Sequence, residues 1–145
     1  MDKSIRQSTP RELHIFLSDF YDEISYDDSP PFKDYVPVGI WFTLLQEEMV
    51  AGFINLEPMN NIMWNAHVMI YTKYRRNGSE EWAVLVAQWA RQHLRAKKFL
   101  AITPYIAAKK YAERAGFVYV AMLTNSIKKN GKLMDQFMLE LGEQE

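Results

Sequence analysis

Between Ile62 and Ala96 the apolar pattern changes period once, and that change constrains the fold more than anything else in the sequence. Ile62 to Tyr71 is a β-rich run. From Ser79 to Ala96 the apolar residues Trp82, Leu85, Val86, Trp89 and Ala90, with His93, fall on one helical face. A short polar loop with a single glycine, Gly78, joins the two. A strand, a glycine-bearing loop and a long helix in that order call for a sheet with helices packed on it.

The rest of the chain fits the same plan. Thr9-Pro10-Arg11-Glu12 has the form of a capped helix start, and Leu13, Phe16, Leu17, Phe20, Tyr21 and Ile24 follow at helical spacing. Residues 25–37 carry three prolines and three aspartates and read as a long loop holding at most a helical turn. Val38 to Leu45 and Met49 to Leu56 flank Gln46-Glu47-Glu48 as an antiparallel hairpin. Phe99 to Thr103 reads as a short buried strand, and Tyr105 to Ala115 as a helix closed by Gly116. Phe117 to Thr124 and Leu133 to Leu141 form a last pair of strands around the turn dipeptide Asn130-Gly131. The expected order is α, β-hairpin, β, α, β, α, β, β in one α/β domain over residues 1–145, a mixed sheet flanked by helices.

Composition narrows the function classes. At 145 residues, 48% hydrophobic and 14% aromatic, the chain can bury a real core. It has no cysteine, which removes disulfides, thiolate metal sites and cysteine nucleophiles. No apolar run is long enough to cross a bilayer, and the N-terminus lacks a signal-peptide core, so a cytoplasmic protein without membrane partners is expected. The net charge of −1 hides an asymmetry: residues 1–72 are acidic on balance, while residues 73–132 are strongly basic. That is the pattern of one face meeting anions and another meeting cations, or simply of solvated faces that differ in sign. Lys97, Lys98, Lys109, Lys110 and Arg114 accompany no recognised nucleic-acid motif, which argues against that partner.

Most of the chemistry lies in Ile70-Tyr71-Thr72-Lys73-Tyr74-Arg75-Arg76-Asn77-Gly78-Ser79. The first turn of a helix offers unpaired N–H groups and the positive end of its dipole, and Gly78 lets a ligand approach the backbone. Arg75 and Arg76 add charge, so a phosphate is a suitable guest. The competing reading is a plain helix cap at Asn77 or Ser79.

This run, Arg75-Arg76-Asn77-Gly78-Ser79-Glu80 after a strand, resembles the central motif of the GNAT-type N-acetyltransferases. The hairpin with Val50-Ala51-Gly52-Phe53-Ile54 and the late AKKYAERAGF segment, Ala108 to Phe117, are similar to that family in the same order. The resemblance implies an acyl-CoA N-acyltransferase fold, a mostly antiparallel sheet with splayed middle strands. It implies acetyl-CoA as cosubstrate, no metal, and direct transfer of the acetyl group to a primary amine on a small molecule or protein. It implies that amides of Arg76 to Glu80 hold the coenzyme pyrophosphate and that the main chain of Ile70, Tyr71 and Thr72 pairs with the pantetheine arm. A homodimer is compatible with it.

The chain departs from the family pattern at three places. Glu80 replaces a second small residue, Ala112 stands where the family has a catalytic tyrosine, and Ala66 and Trp64 stand where a base is expected. The catalytic candidates are therefore His67, which strand alternation turns to the opposite face, Tyr105 at a strand end, and Tyr111 beside Ala112. His67 is otherwise a hydrogen-bonded histidine and Tyr105 a sheet-packing ring. Asp27 and Asp28, in the long loop, are expected to rim the acceptor site and favour a cationic amine. The other class consistent with these departures is a GNAT-like binding or structural protein without catalysis, such as the small ones encoded by bacteriophages.

Overall fold

The computed structural model describes residues 2–76 and 78–142. Seven strands form one sheet: β1 (Lys3–Gln7), β2 (Ile40–Gln46), β3 (Met49–Pro58), β4 (Met63–Ile70), β5 (Lys98–Thr103), β6 (Val118–Lys129) and β7 (Lys132–Leu141). Three helices accompany it: α1 (Pro10–Ile24), α2 (Glu81–His93) and α3 (Ile106–Arg114). The strand order is β1-β2-β3-β4-β5-β7-β6, and every neighbouring pair is antiparallel except β4 and β5. The mixed sheet and flanking helices expected from the sequence are present.

Local chemistry explains the elements. At the start of α1 the Glu12 N–H donates to the Thr9 hydroxyl at 3.2 Å, and the Thr9 N–H donates to the Glu12 carboxylate at 3.0 Å. This reciprocal capping satisfies two N–H groups that would otherwise be unpaired. The apolar stripe of α1 buries Phe16, Leu17 and Phe20 against Trp41 and Phe53 on one face of the sheet. The other face carries α2, whose Trp82, Val86, Ala87 and Ala90 pack with Phe42, Leu44, Ile54, Leu56 and Phe99. Tyr111 brings α3 into that same cluster. At Gly52, φ is +154° and a Cβ would stand 2.1 Å from the Met69 carbonyl oxygen, so β3 and β4 approach there in a way only glycine permits.

Three readings of the sequence need correction. The strand β1 was not anticipated; it holds one apolar residue in five and pairs only with β2 at the sheet edge. The last hairpin is longer than expected, because β6 continues past Thr124 to Lys129 through an irregularity at Leu123/Ile127, where Asn125 has φ +48°. The main helix begins at Glu81, after a turn at 78–80, rather than at Ser79.

Both tight hairpins turn through left-handed pairs. One is Asn130-Gly131, with φ +54° and +77°, and the other is Glu47-Glu48, with φ +49° and +72°. The first pair is chemically suited to that region; the second pays a steric cost of roughly 1–2 kcal/mol per residue. Replacing Glu47 and Glu48 by Asn and Gly is expected to raise stability by about 1 kcal/mol and Tm by about 3–5 °C in a thermal melt. An unchanged Tm would show that the Glu-Glu turn is not strained.

Candidate active site

The parallel pairing of β4 with β5 covers only Met63–Lys98, Trp64–Phe99 and Asn65–Leu100. Beyond it the strands part: β4 stays paired with β3 through Ile70, and β5 follows β7 through Thr103. The β5-facing edge of β4 from Ala66 onward therefore has no strand beside it, and neither does the facing edge of β5. A cleft of about 160 Å³ occupies the split and passes from one face of the sheet to the other. On the α2 and α3 side its walls include Ala83, Ala87, Ala108 and Ala112, small side chains that leave the space open. On the α1 side it is bounded by Ile24, Tyr26, His67, Met69 and Tyr105.

The loop after β4 differs in part from the sequence expectation. Thr72–Tyr74 is a 3-10 turn, and the Tyr71 N–H donates to the Ala51 carbonyl at 2.8 Å. The Ile70 carbonyl accepts from Arg75 Nε at 2.6 Å. Among the described residues, the β4 edge with no strand beside it begins at Ala66, and the Ile70 carbonyl at its end is engaged by Arg75. Tyr71 packs its ring on Phe20 and gives its hydroxyl to Asp19 at 2.5 Å. Burial and that carboxylate raise its pKa.

Arg75 and Arg76 are exposed at the entrance to α2, and Gly78 adopts φ +90° with no atom closer than 3.8 Å to a would-be Cβ, that of Lys3 Nζ. Lys3, whose ammonium also lies 4.0 Å from Glu81 Oε2, adds a cation beside the loop from strand β1, and no local sequence signal could have placed it there. Asn77 lies outside the described residues. Ser79 is buried, and its carbonyl accepts the Tyr111 hydroxyl at 3.0 Å. Glu80 leans toward α3, with its carboxylate 3.6 Å from Arg114 Nε. It makes no side-chain cap for α2. The Glu80 charge is thus paired with an arginine rather than left alone beside the loop. Tyr111 spends its hydroxyl on a backbone carbonyl and, with burial as the main cause, titrates well above an ordinary tyrosine. It fastens α3 to the loop.

His67 keeps strand alternation: β4 runs in unbroken register with β3, and the imidazole faces the α1 side with Met69 while Ala66 and Val68 face α2. It nevertheless lines the cleft, because the cleft reaches both faces. No bulge is needed to aim it. The Asn65 side-chain amide lies 3.2 Å from His67 Nε2, and Glu57 Oε1 lies 3.8 Å from the same atom. Burial lowers the His67 pKa from its ordinary value, with the Glu57 charge opposing, which favours the neutral imidazole. Asn65 Oδ1 is buried without a partner. If the Asn65 amide turns over, that oxygen can accept from a protonated Nε2, so one residue can hold the ring in both states.

Tyr105 lies two residues after β5 as the N-cap residue of α3, 40% exposed, with its ring on the cleft wall. Lys129 Nζ stands 3.4 Å from its hydroxyl oxygen. An ammonium can only donate, so it leaves the phenol's own proton free to point elsewhere.

The two aspartates differ from expectation. The Asp27 carboxylate accepts the N–H groups of Asn130 at 2.7 Å and Gly131 at 2.8 Å, and its own N–H donates to the Lys128 carbonyl at 3.0 Å. Those backbone donors lower its pKa. Asp27 clasps the long loop to the β6–β7 turn, and neither it nor Asp28 lines the cleft. Glu23 is the acidic residue that does. Among the described residues no group of His, Asp or Glu is arranged to hold a metal ion, and no helix is long and apolar enough to cross a membrane.

No family model matches the sequence, and no curated protein matches it. Solved structures match the fold over nearly the whole chain. A spermidine N-acetyltransferase from Vibrio cholerae, in complex with CoA and spermine, superposes with a TM-score of 0.77 at 14% identity, covering 97% of this chain and 95% of its own. A ribosomal-protein-S5-alanine acetyltransferase from Vibrio fischeri gives 0.78 at 11% identity, covering 100% and 95%. An N-acetyltransferase from Staphylococcus aureus Mu50 gives 0.74 at 18% identity, covering 98% of each. The protein has the fold of the GNAT-type N-acetyltransferases.

Proposed function

We propose that the protein transfers an acetyl group from acetyl-CoA directly to a primary amine. The observation that carries this reading is the open cleft between β4 and β5, which gives two substrates access to one point from opposite faces of the sheet. A scaffold that had lost catalysis has no use for such a passage, and here small side chains keep it open. The residues fit the coenzyme. The free edge of β4 suits the extended, amide-bearing pantetheine arm, the alanine walls suit its alkyl parts, and Arg75, Arg76 and Lys3 suit its phosphates.

The thioester supplies an activated acyl carbon, so a C–N bond to the amine forms as the C–S bond breaks. His67, whose pKa desolvation lowers, takes the proton that the amine nitrogen sheds. Tyr105, whose oxygen already accepts from Lys129, gives its proton to the departing sulfur. Ala112 leaves the family's usual tyrosine position vacant of any acid, which makes Tyr105 the hydroxyl best placed for that role.

Titration of acetyl-CoA tests the reading first. Ligand at about a hundred times Kd should add about 2.7 kcal/mol of stability. Changing Arg75 and Arg76 together to Ala is expected to weaken binding by about tenfold to a hundredfold, since each charge-assisted contact is worth roughly 1.5–3 kcal/mol and both side chains are solvent-exposed. Absence of binding at millimolar coenzyme would overturn the proposal.

A further inference from the structure

Resting on the acyl-transfer reading, we infer that the acceptor is a monoamine with an apolar body, and that Lys129 discriminates against amines carrying a second positive charge. Lys129 reaches the α1-side mouth of the cleft from the far end of β6. Its ammonium donates to the Asp22 carbonyl at 2.6 Å and the Glu23 carbonyl at 3.2 Å, stands 3.4 Å from Tyr105 Oη, and lies 5.6 Å from the centre of the Tyr26 ring. The two carbonyls belong to the last turn of α1, where the helix dipole favours a cation. The ammonium is therefore fixed rather than waving in solvent.

Three of its four partners, Glu23, Tyr26 and Tyr105, are cleft walls. A permanent positive charge thus sits just behind the surface on which the acceptor must rest. Apart from His67, the base, the remaining walls on this side, Ile24 and Met69, offer only apolar contact. An alkyl or aryl body gains from them, whereas a distal ammonium loses hydration and meets Lys129. The Glu23 carboxylate on the wall and the Asp27 carboxylate, which Lys129 also stabilises, offset part of that charge. At a separation of about 7 Å and an effective dielectric between protein and water, the repulsion corresponds to roughly a tenfold loss. The same surroundings disfavour the protonated form of the reacting amine itself, and so help His67 to receive its proton.

Hexylamine and 1,6-diaminohexane differ in the second, charged amino group, and 2-phenylethylamine tests the aromatic walls. Rates of thiol release from acetyl-CoA give kcat/KM for each with the intact protein and with Lys129→Met. The expectation is about a tenfold preference for hexylamine over the diamine, good use of 2-phenylethylamine, and a preference reduced several-fold in Lys129→Met, with the remainder set by the hydration the second ammonium loses. Any effect of Lys129 on Tyr105 lowers both amines alike and cancels in that ratio. A diamine used as well as hexylamine by the intact protein overturns the inference. So does a ratio unmoved in a Lys129→Met protein whose melt shows it folded. Should no amine turn over, the acyl-transfer reading fails, and the shift in Tm of the coenzyme complex with each amine still decides the site's preference. A larger shift with hexylamine supports it, and an equal or absent shift overturns it.

Discussion

Replacing His67 with Ala should lower kcat by about two to three orders of magnitude, the usual worth of a positioned general base, while the affinity for acetyl-CoA stays within a fewfold. The imidazole lines the cleft and is held by Asn65, and desolvation there lowers its pKa and favours the neutral form. The pH profile carries the sharper signature. In the unaltered protein kcat/KM should fall on the acid side as His67 takes a proton, with an apparent pKa below 6.5. In His67→Ala that limb should disappear. The same depressed pKa bears on stability: unfolding lets the imidazole bind a proton at its ordinary pKa, so this contribution is present above pH 6.5 and is lost as pH falls through the folded value. A profile unchanged by the substitution would remove His67 from the chemistry.

The second large effect is on folding. Trp82 is fully buried in the cluster between α2 and the sheet, and its indole N–H donates to the Leu45 carbonyl at 3.0 Å. Trp82→Ala should cost about 3–5 kcal/mol through lost transfer energy and a residual cavity. In a domain whose total stability is about 5–15 kcal/mol, that should lower Tm by more than about 10 °C. Because Trp82 anchors the first turn of α2, Gly78 and Ser79 should shift as well, and coenzyme affinity should fall with them. Trp82→Phe keeps most of the packing but strands the Leu45 carbonyl, and should cost about 1–3 kcal/mol. A smaller loss in Trp82→Ala than in Trp82→Phe would contradict the packing account.

What the sequence disclosed follows from the range of the interactions. The Thr9–Glu12 cap, the Asn130-Gly131 turn and the helical stripes depend on residues a few positions apart, and each was legible. The Glu47-Glu48 turn gave no glycine or asparagine signal, although Gln46 and Leu45 on one side and Met49 and Val50 on the other marked its place. In β1, Ile5 is the one apolar residue, so alternation had nothing to register. The site divides in the same way. Arg75, Arg76 and Gly78 were visible as a run, and His67 as the titratable group on its strand. Asp27 could not be understood alone: its partners, Asn130 and Gly131, lie more than a hundred positions away and use main-chain atoms that any sequence possesses. Lys129 is hidden for the same reason, because two of its partners are carbonyls.

The three-residue ladder between β4 and β5 also determines how the molecule carries load. On one side of the split lie β1 to β4 with α1 and α2; on the other lie β5 to β7 with α3. The ladder is the strand pairing that joins the two parts at one end of the split. The Tyr111 hydroxyl on Ser79 and the Glu80–Arg114 pair bridge the split on the helix side, and the Asp27 and Lys129 contacts latch the opposite face. A strand-like guest bonded to both open edges would close the gap and make the sheet continuous, so that the guest becomes a structural member of the protein for as long as it stays.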